Sequence, residues 1–176
     1  MPGFVIHIAV AKEYMNKHEN EIRDEKEFLN GIIAPDLIPK LNKNITKSES
    51  HYGKKGFSDI EAHLDLFLAD PKVDITKDYY KGYFIHLVTD NEFYLNYFKD
   101  ETQKVMNNKD SFYYDYDCLN ETIMEKYNIE RVNDENINKY MNYIDGNPKY
   151  LNKEKVLKFI EKVSQMSIEE RLKNIE

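Results

Sequence analysis

Three of the most apolar stretches of this 176-residue chain carry ionisable side chains in their middle. His7 sits in Phe4-Val5-Ile6-His7-Ile8-Ala9-Val10. Asp36 sits in Ile32-Ile33-Ala34-Pro35-Asp36-Leu37-Ile38-Pro39. His86 and Asp90 share Tyr83-Phe84-Ile85-His86-Leu87-Val88-Thr89-Asp90. A carboxylate is almost never fully buried without a partner, and burying a lone one costs several kcal/mol or more. Any fold that buries these segments therefore needs a compensating centre. A shared metal ion would satisfy all of them at once.

The length suits one domain, residues 1–176, with room for a real core. Charged residues make up 32% of the chain and the net charge is -7. That balance disfavours duplex nucleic acid, whose binders carry basic patches. It leaves a small anionic substrate open, because a metal supplies local positive charge. The single cysteine, Cys118, rules out an internal disulfide. The N-terminal apolar run is too short for a signal core, and no segment approaches the roughly 20 apolar residues of a membrane span. These features point to a cytoplasmic protein. They leave the oligomeric state open.

Strand alternation is scarce and helical spacing is common, so the fold class is all-α. The pattern predicts helices over Phe4 to about Lys17 and over Arg23 to Ile33, the second ended by Pro35. Leu37 to Phe57 reads as a loop. Ser58 and Glu61 read as a capping box for a helix to Leu68. From about Thr76 to Phe98 apolar positions cover more than half the circumference, which marks a central, buried helix. Further helices are expected over Ser111–Tyr127, Asp134–Ile144 and Lys153–Val163, with a turn at Asp145–Pro148. Ser167 and Glu170 cap a last one.

His86 and Asp90 stand one turn apart on the central helix, about 5–6 Å at Cβ, so both can reach one ion. A lone pair of this kind is more often a surface hydrogen bond, but its neighbours here are too apolar for an exposed face. His7 alone reads as a core histidine, Asp36 alone as a cap or turn residue, and His51 alone as an exposed loop residue. Taken together, His7, Asp36, His51, His86 and Asp90 supply three imidazoles and two carboxylates. That donor set suits zinc, with iron, manganese or nickel as alternatives. Asp90 could bridge two ions, and Asp36 could be a ligand or the base that orients a water. Asp115 and Asp117 are further candidate ligands, though the exposed face of a helix is the better reading of both. His18 and His63 read as surface residues.

At this point the chain resembles a family. Met1-Pro2-Gly3-Phe4-Val5-Ile6-His7, Ala34-Pro35-Asp36, Ser50-His51-Tyr52 and His86-x-x-x-Asp90 are similar, in order, to the zinc-dependent phospholipase C family, an all-helical family related to single-strand-specific zinc nucleases. The resemblance covers roughly the first hundred residues. It implies a phosphoesterase whose principal ion is held by His51, His86 and Asp90, with His7 on a second ion. Family members with three zincs carry a histidine where this chain has Asn96, and then a downstream His-x-x-x-Glu that is missing here. One or two ions are therefore expected. Two other readings stand beside this one. An HD-domain-like phosphohydrolase lacks its adjacent His-Asp here. A non-catalytic helical protein would keep a structural metal or bind a partner.

Overall fold

The computed structural model describes residues 3–53, 61–132 and 134–175. Among them every regular element is helical. Helix α1 spans Phe4–Lys17, α2 Glu25–Leu41, α3 Lys47–Ser50, α4 Leu64–Ala69 and α5 Asp78–Asn91. A π-helical segment, Glu92–Tyr97, continues α5, and α6 (Lys99–Asn107), α7 (Tyr113–Lys126), α8 (Glu135–Asn138), α9 (Lys153–Val163) and α10 (Ile168–Lys173) follow. No helix among the described residues is long and apolar enough to cross a membrane.

The central helix is α5. Every residue from Gly82 to Asp90 is buried, as its all-round apolar pattern requires. It is shorter than the sequence pattern suggests, because the hydrogen bonding changes at Glu92 to the wider π form, with Phe98 N–H donating to Phe93 O at 2.8 Å. The most extensive helix–helix contact is α2 against α5. Two glycines make it. A β-carbon on Gly31 would lie 1.9 Å from Tyr79 O, and one on Gly82 would lie 2.1 Å from Phe28 O. Only backbones without side chains can approach this closely.

Helix α2 corrects the sequence reading, which ended it before Pro35. It runs through both Pro35 and Pro39. An interior proline removes one hydrogen bond and costs about 3 kcal/mol. Two contacts offset this: α2 packs along α5, and Ser50 Oγ donates at 2.8 Å to Pro35 O, the carbonyl that the missing N–H of Pro39 would otherwise have used. The stretch from Leu37 is likewise not all loop. It completes α2 and adds α3, opened by a Thr46–Glu49 capping box. The capping box expected at Ser58 lies outside the described residues, and the helix after it begins at Leu64. The polar α6 was not anticipated. The helix expected over Asp134–Ile144 is a single turn, because the buried Asn120 donates from Nδ2 to Tyr140 O (3.3 Å) and Asn142 O (2.8 Å), drawing that backbone away from a helical path. The expected helix starts at Phe4, Lys153 and the Ser167–Glu170 box agree with the structure.

The glycine contact gives a prediction whose sign is the test. In an ordinary helix Gly→Ala gains about 1 kcal/mol. Gly82→Ala should instead lose roughly 1–3 kcal/mol, read as a lower urea midpoint, because its new methyl meets the α2 backbone and cannot be relieved by a rotamer change. An unchanged or higher midpoint would refute the close approach.

Candidate metal centre

All five residues singled out by sequence converge at one place. His7 comes from α1, Asp36 from the proline-rich end of α2, His51 from the C-cap of α3, and His86 and Asp90 from successive turns of α5. Their exposures are 1%, 6%, 6%, 0% and 3% in that order, so none is a surface residue. His51 is set by its short helix. Thr46 caps the front, and the back closes with Gly53 N–H donating to Ser48 O (2.8 Å) and Tyr52 N–H to Glu49 O (3.2 Å), a Schellman arrangement. Tyr52 takes the left-handed conformation this requires, at φ 54°.

Hydrogen bonds to carbonyls fix which ring nitrogen faces the centre. A carbonyl can only accept, so Nδ1 of His86 carries a proton for Ile32 O (2.6 Å) and Nδ1 of His51 carries one for Lys47 O (2.8 Å). In the neutral rings both Nε2 atoms then hold lone pairs, and these atoms stand 3.2 Å apart. Around them His51 Nε2 lies 3.3 Å from Asp36 Oδ1 and 3.5 Å from Asp90 Oδ2, and His86 Nε2 lies 3.6 Å from Asp90 Oδ2. Two nitrogens bound at about 2.0–2.1 Å to one tetrahedral ion are separated by about 3.3 Å. The two Nε2 atoms and Asp90 Oδ2 thus have the mutual spacing of a single coordination shell, and Asp36 forms a second group with His51 and His86. This backing of each ligand by a carbonyl is the usual support of metal-bound imidazoles.

His7 adds a second corner. Its ring stacks on His86 at 3.8 Å, and its Nε2 lies 3.3 Å from Asp90 Oδ1. That approach lacks hydrogen-bond geometry: neither nitrogen of His7 has a hydrogen-bond partner, nor has Oδ1 of Asp36 or of Asp90. Buried polar atoms are almost always satisfied, and a cluster of orphans calls for a missing partner. Since Nδ1 of His86 is committed to Ile32, His86 can serve only one ion. Its free Nε2 lies within reach of both corners: His7, His86 and Asp90 form one group of potential ligands, and Asp36, His51 and His86 another.

The charges agree with this. Burial alone would raise the Asp36 carboxyl, but His51, 3.3 Å away, and the neighbouring His86 and His7 outweigh it and hold it well below the usual carboxylate range. Burial is likewise overcome at Asp90, held at about 2 by His86 and His7. Burial, with His7 beside it, pushes His86 down to about 3. Two ionised carboxylates therefore face a neutral imidazole, an arrangement completed by a cation.

The other candidates lie elsewhere. Asp115 is neither a ligand nor exposed. It is 1% exposed and accepts backbone N–H bonds from Lys149 (2.8 Å), Tyr150 (2.6 Å) and Leu151 (2.7 Å), tying the chain before α9 to α7. Asp117 is half-buried on a cavity wall, outside the cluster. His18 and His63 are half-buried rather than surface residues, and His18 Nε2 meets Ser164 O at 3.0 Å. Asn96 hydrogen-bonds Glu92 in the π segment.

Two cavities reach the cluster. One of about 540 Å³ includes Asp36, and one of about 300 Å³ includes His51 and Asp90. Lys47, Tyr113 and Tyr116 line both. The sequence reading missed Tyr116. Its burial, with Asp90 and Asp36 nearby, raises its phenol far above the ordinary value, so it keeps its proton. The signal was the tyrosine run Tyr113-Tyr114-Asp115-Tyr116, whose spacing alone does not tell which ring turns inward. Compared with known proteins, the chain matches no protein-family model, no curated protein and no solved structure.

The two kinds of aspartate separate experimentally. Zinc at about a thousand times its Kd should add about 4 kcal/mol to wild-type stability. Asp90→Asn should lose most of that gain. Asp115→Asn should lose stability by the same amount with zinc and with chelator, because its partners are backbone amides. Equal zinc responses in wild type and Asp90→Asn would remove Asp90 from the centre.

Proposed function

We propose that this chain is a metal-dependent hydrolase of phosphoric esters, working with one or two zinc-type ions. The observation that carries the reading is the pair of Nε2 atoms 3.2 Å apart between two carboxylates, placed where two solvent cavities meet. Nitrogen and oxygen donors of this kind suit zinc, and also iron, manganese or nickel. His51, His86 and Asp90 would hold the principal ion, His7 with the other oxygen of Asp90 a second, and Asp36 would be a further ligand or the base that orients water. Five donors exceed what a closed structural site uses, which favours catalysis over a purely structural metal. The order His, Asp, His, His-x-x-x-Asp supports the zinc-dependent phospholipase C resemblance, and with it the phosphoester class.

When bound, such an ion lowers the pKa of a coordinated water and polarises a phosphoryl oxygen. The chain's own residues do the rest. Ile32 O and Lys47 O hold the two imidazoles in the tautomer that binds metal. The ionised Asp36 lines the larger cavity, where it can bind the ion or orient water towards the substrate. Tyr116, kept protonated near both carboxylates, lies on the wall shared by the cavities.

The test is hydrolysis of bis(4-nitrophenyl) phosphate and 4-nitrophenyl phosphate by protein loaded with zinc or manganese. Turnover should vanish with a chelator and return with metal. Asp36→Asn nearly preserves shape but removes the charge, and should lower turnover by about a hundredfold or more. No turnover on any phosphoester offered, or an Asp36→Asn variant as active as wild type, would overturn the assignment.

A further inference from the structure

The larger cavity carries a feature that the metal centre does not use. Asp36 and Lys40 lie four residues apart on α2, with Cβ atoms about 5–6 Å apart on one face. While Asp36 turns into the centre, Lys40 extends along the cavity wall. Its ammonium sits 3.7 Å from the centroid of the Tyr140 ring, and the ammonium of Lys139 sits 5.2 Å from the same centroid. Neither lysine forms an ion pair with a carboxylate among the described residues. The ring is held in place: Asn120, 1% exposed, donates to Tyr140 O, and Phe4 stacks on Tyr140 at 6.2 Å.

Two like charges are thus gathered at one aromatic platform in a chain whose net charge is -7. A cation–π contact at a partly exposed site contributes about 0.5–1 kcal/mol. It positions an ammonium without neutralising it, as a carboxylate would. The repulsion between the two charges is relieved by an anion that both can reach. Burial raises the Tyr140 phenol, yet the hydrogen bonds and charges of Lys40 and Lys139 bring it below its ordinary value, which shows how positive this corner is. Asp117, which lines the same cavity, is half-buried, and its carboxyl is pushed up by burial, which weakens it as a competing partner. A cavity of about 540 Å³ lies in the range that takes small ligands.

We infer that Lys40 and Lys139, held over Tyr140, form a subsite for a second phosphate of the substrate, a few bonds from the phosphate at the metal centre. The substrate class is then a small bisphosphorylated molecule and not a neutral or cationic phosphoester. This rests on the phosphoesterase reading for the first phosphate only.

Calorimetric titration of zinc-loaded full-length protein separates the two claims, with inorganic phosphate and propane-1,3-diol bisphosphate as probes. The bisphosphate should bind at least tenfold tighter than phosphate. Lys40→Met with Lys139→Met should bring that ratio near one while leaving phosphate affinity within twofold. Lys139→Met alone should lose part of the preference. Both side chains are exposed, so the fold should survive, as checked by circular dichroism. Equal affinities in wild type, or a preference retained in the double variant, would overturn the subsite and leave the hydrolase reading standing. Bisphosphate binding that needs the lysines but not the metal would support the subsite and count against the phosphoesterase.

Discussion

The structure turns on the contact of two helix backbones where α2 crosses α5. Gly31 and Gly82 let the chains approach until a β-carbon on either would strike a carbonyl of the other. That approach brings Ile32 O within 2.6 Å of His86 Nδ1. The hydrogen bond decides which nitrogen of His86 is free, and so which atom faces Asp90, His51 and His7. The same crossing carries α2 through two prolines to the point where Asp36 enters the cluster. Displacing α2 by the width of a methyl group would loosen the ligand set and its support together.

Burial of charge is the second constraint. Two carboxylates nine-tenths buried would cost the fold several kcal/mol each without compensation. The imidazoles compensate only in part, because burial keeps His86 neutral. His7 illustrates the residual cost: a histidine 1% exposed, stacked on another, with neither nitrogen hydrogen-bonded. A core residue selected for stability alone would be a leucine or phenylalanine there. Its presence there fits a centre that binds an ion at some cost in stability.

Much of this was legible in the sequence because the signal is local. An ionisable residue in an apolar run is an anomaly that can be seen without coordinates, and this singled out His7, Asp36, His86 and Asp90. The i, i+4 spacing placed the last two on one face. His51 needed the resemblance, since its loop is polar and its burial comes from the capping at both ends of α3. What could not be read depends on distant partners. Local rules end α2 at Pro35, but α5 and Ser50 carry it on. Asp115 looks like a surface residue until the amides of Lys149, Tyr150 and Leu151 close on it from more than thirty residues away. Lys40 and Lys139 are a hundred residues apart and meet only through Tyr140.

The placement of these groups along the chain has a consequence of its own. All five cluster residues precede Asn91, on helices packed into the core, whereas the cavity walls draw on α7 and on Lys139 and Tyr140 beyond it. The cluster sits on rigid, buried elements, as a site with demanding geometry requires. The walls include exposed side chains and an irregular stretch pinned by Asn120, which tolerate change at small cost to stability. In the proposed enzyme the metal donors all precede Asn91, while the cavity walls combine α2 residues such as Lys40 with α7, Lys139 and Tyr140. Changes confined to residues 113–140 can alter what is bound without touching the donors that hold the metal.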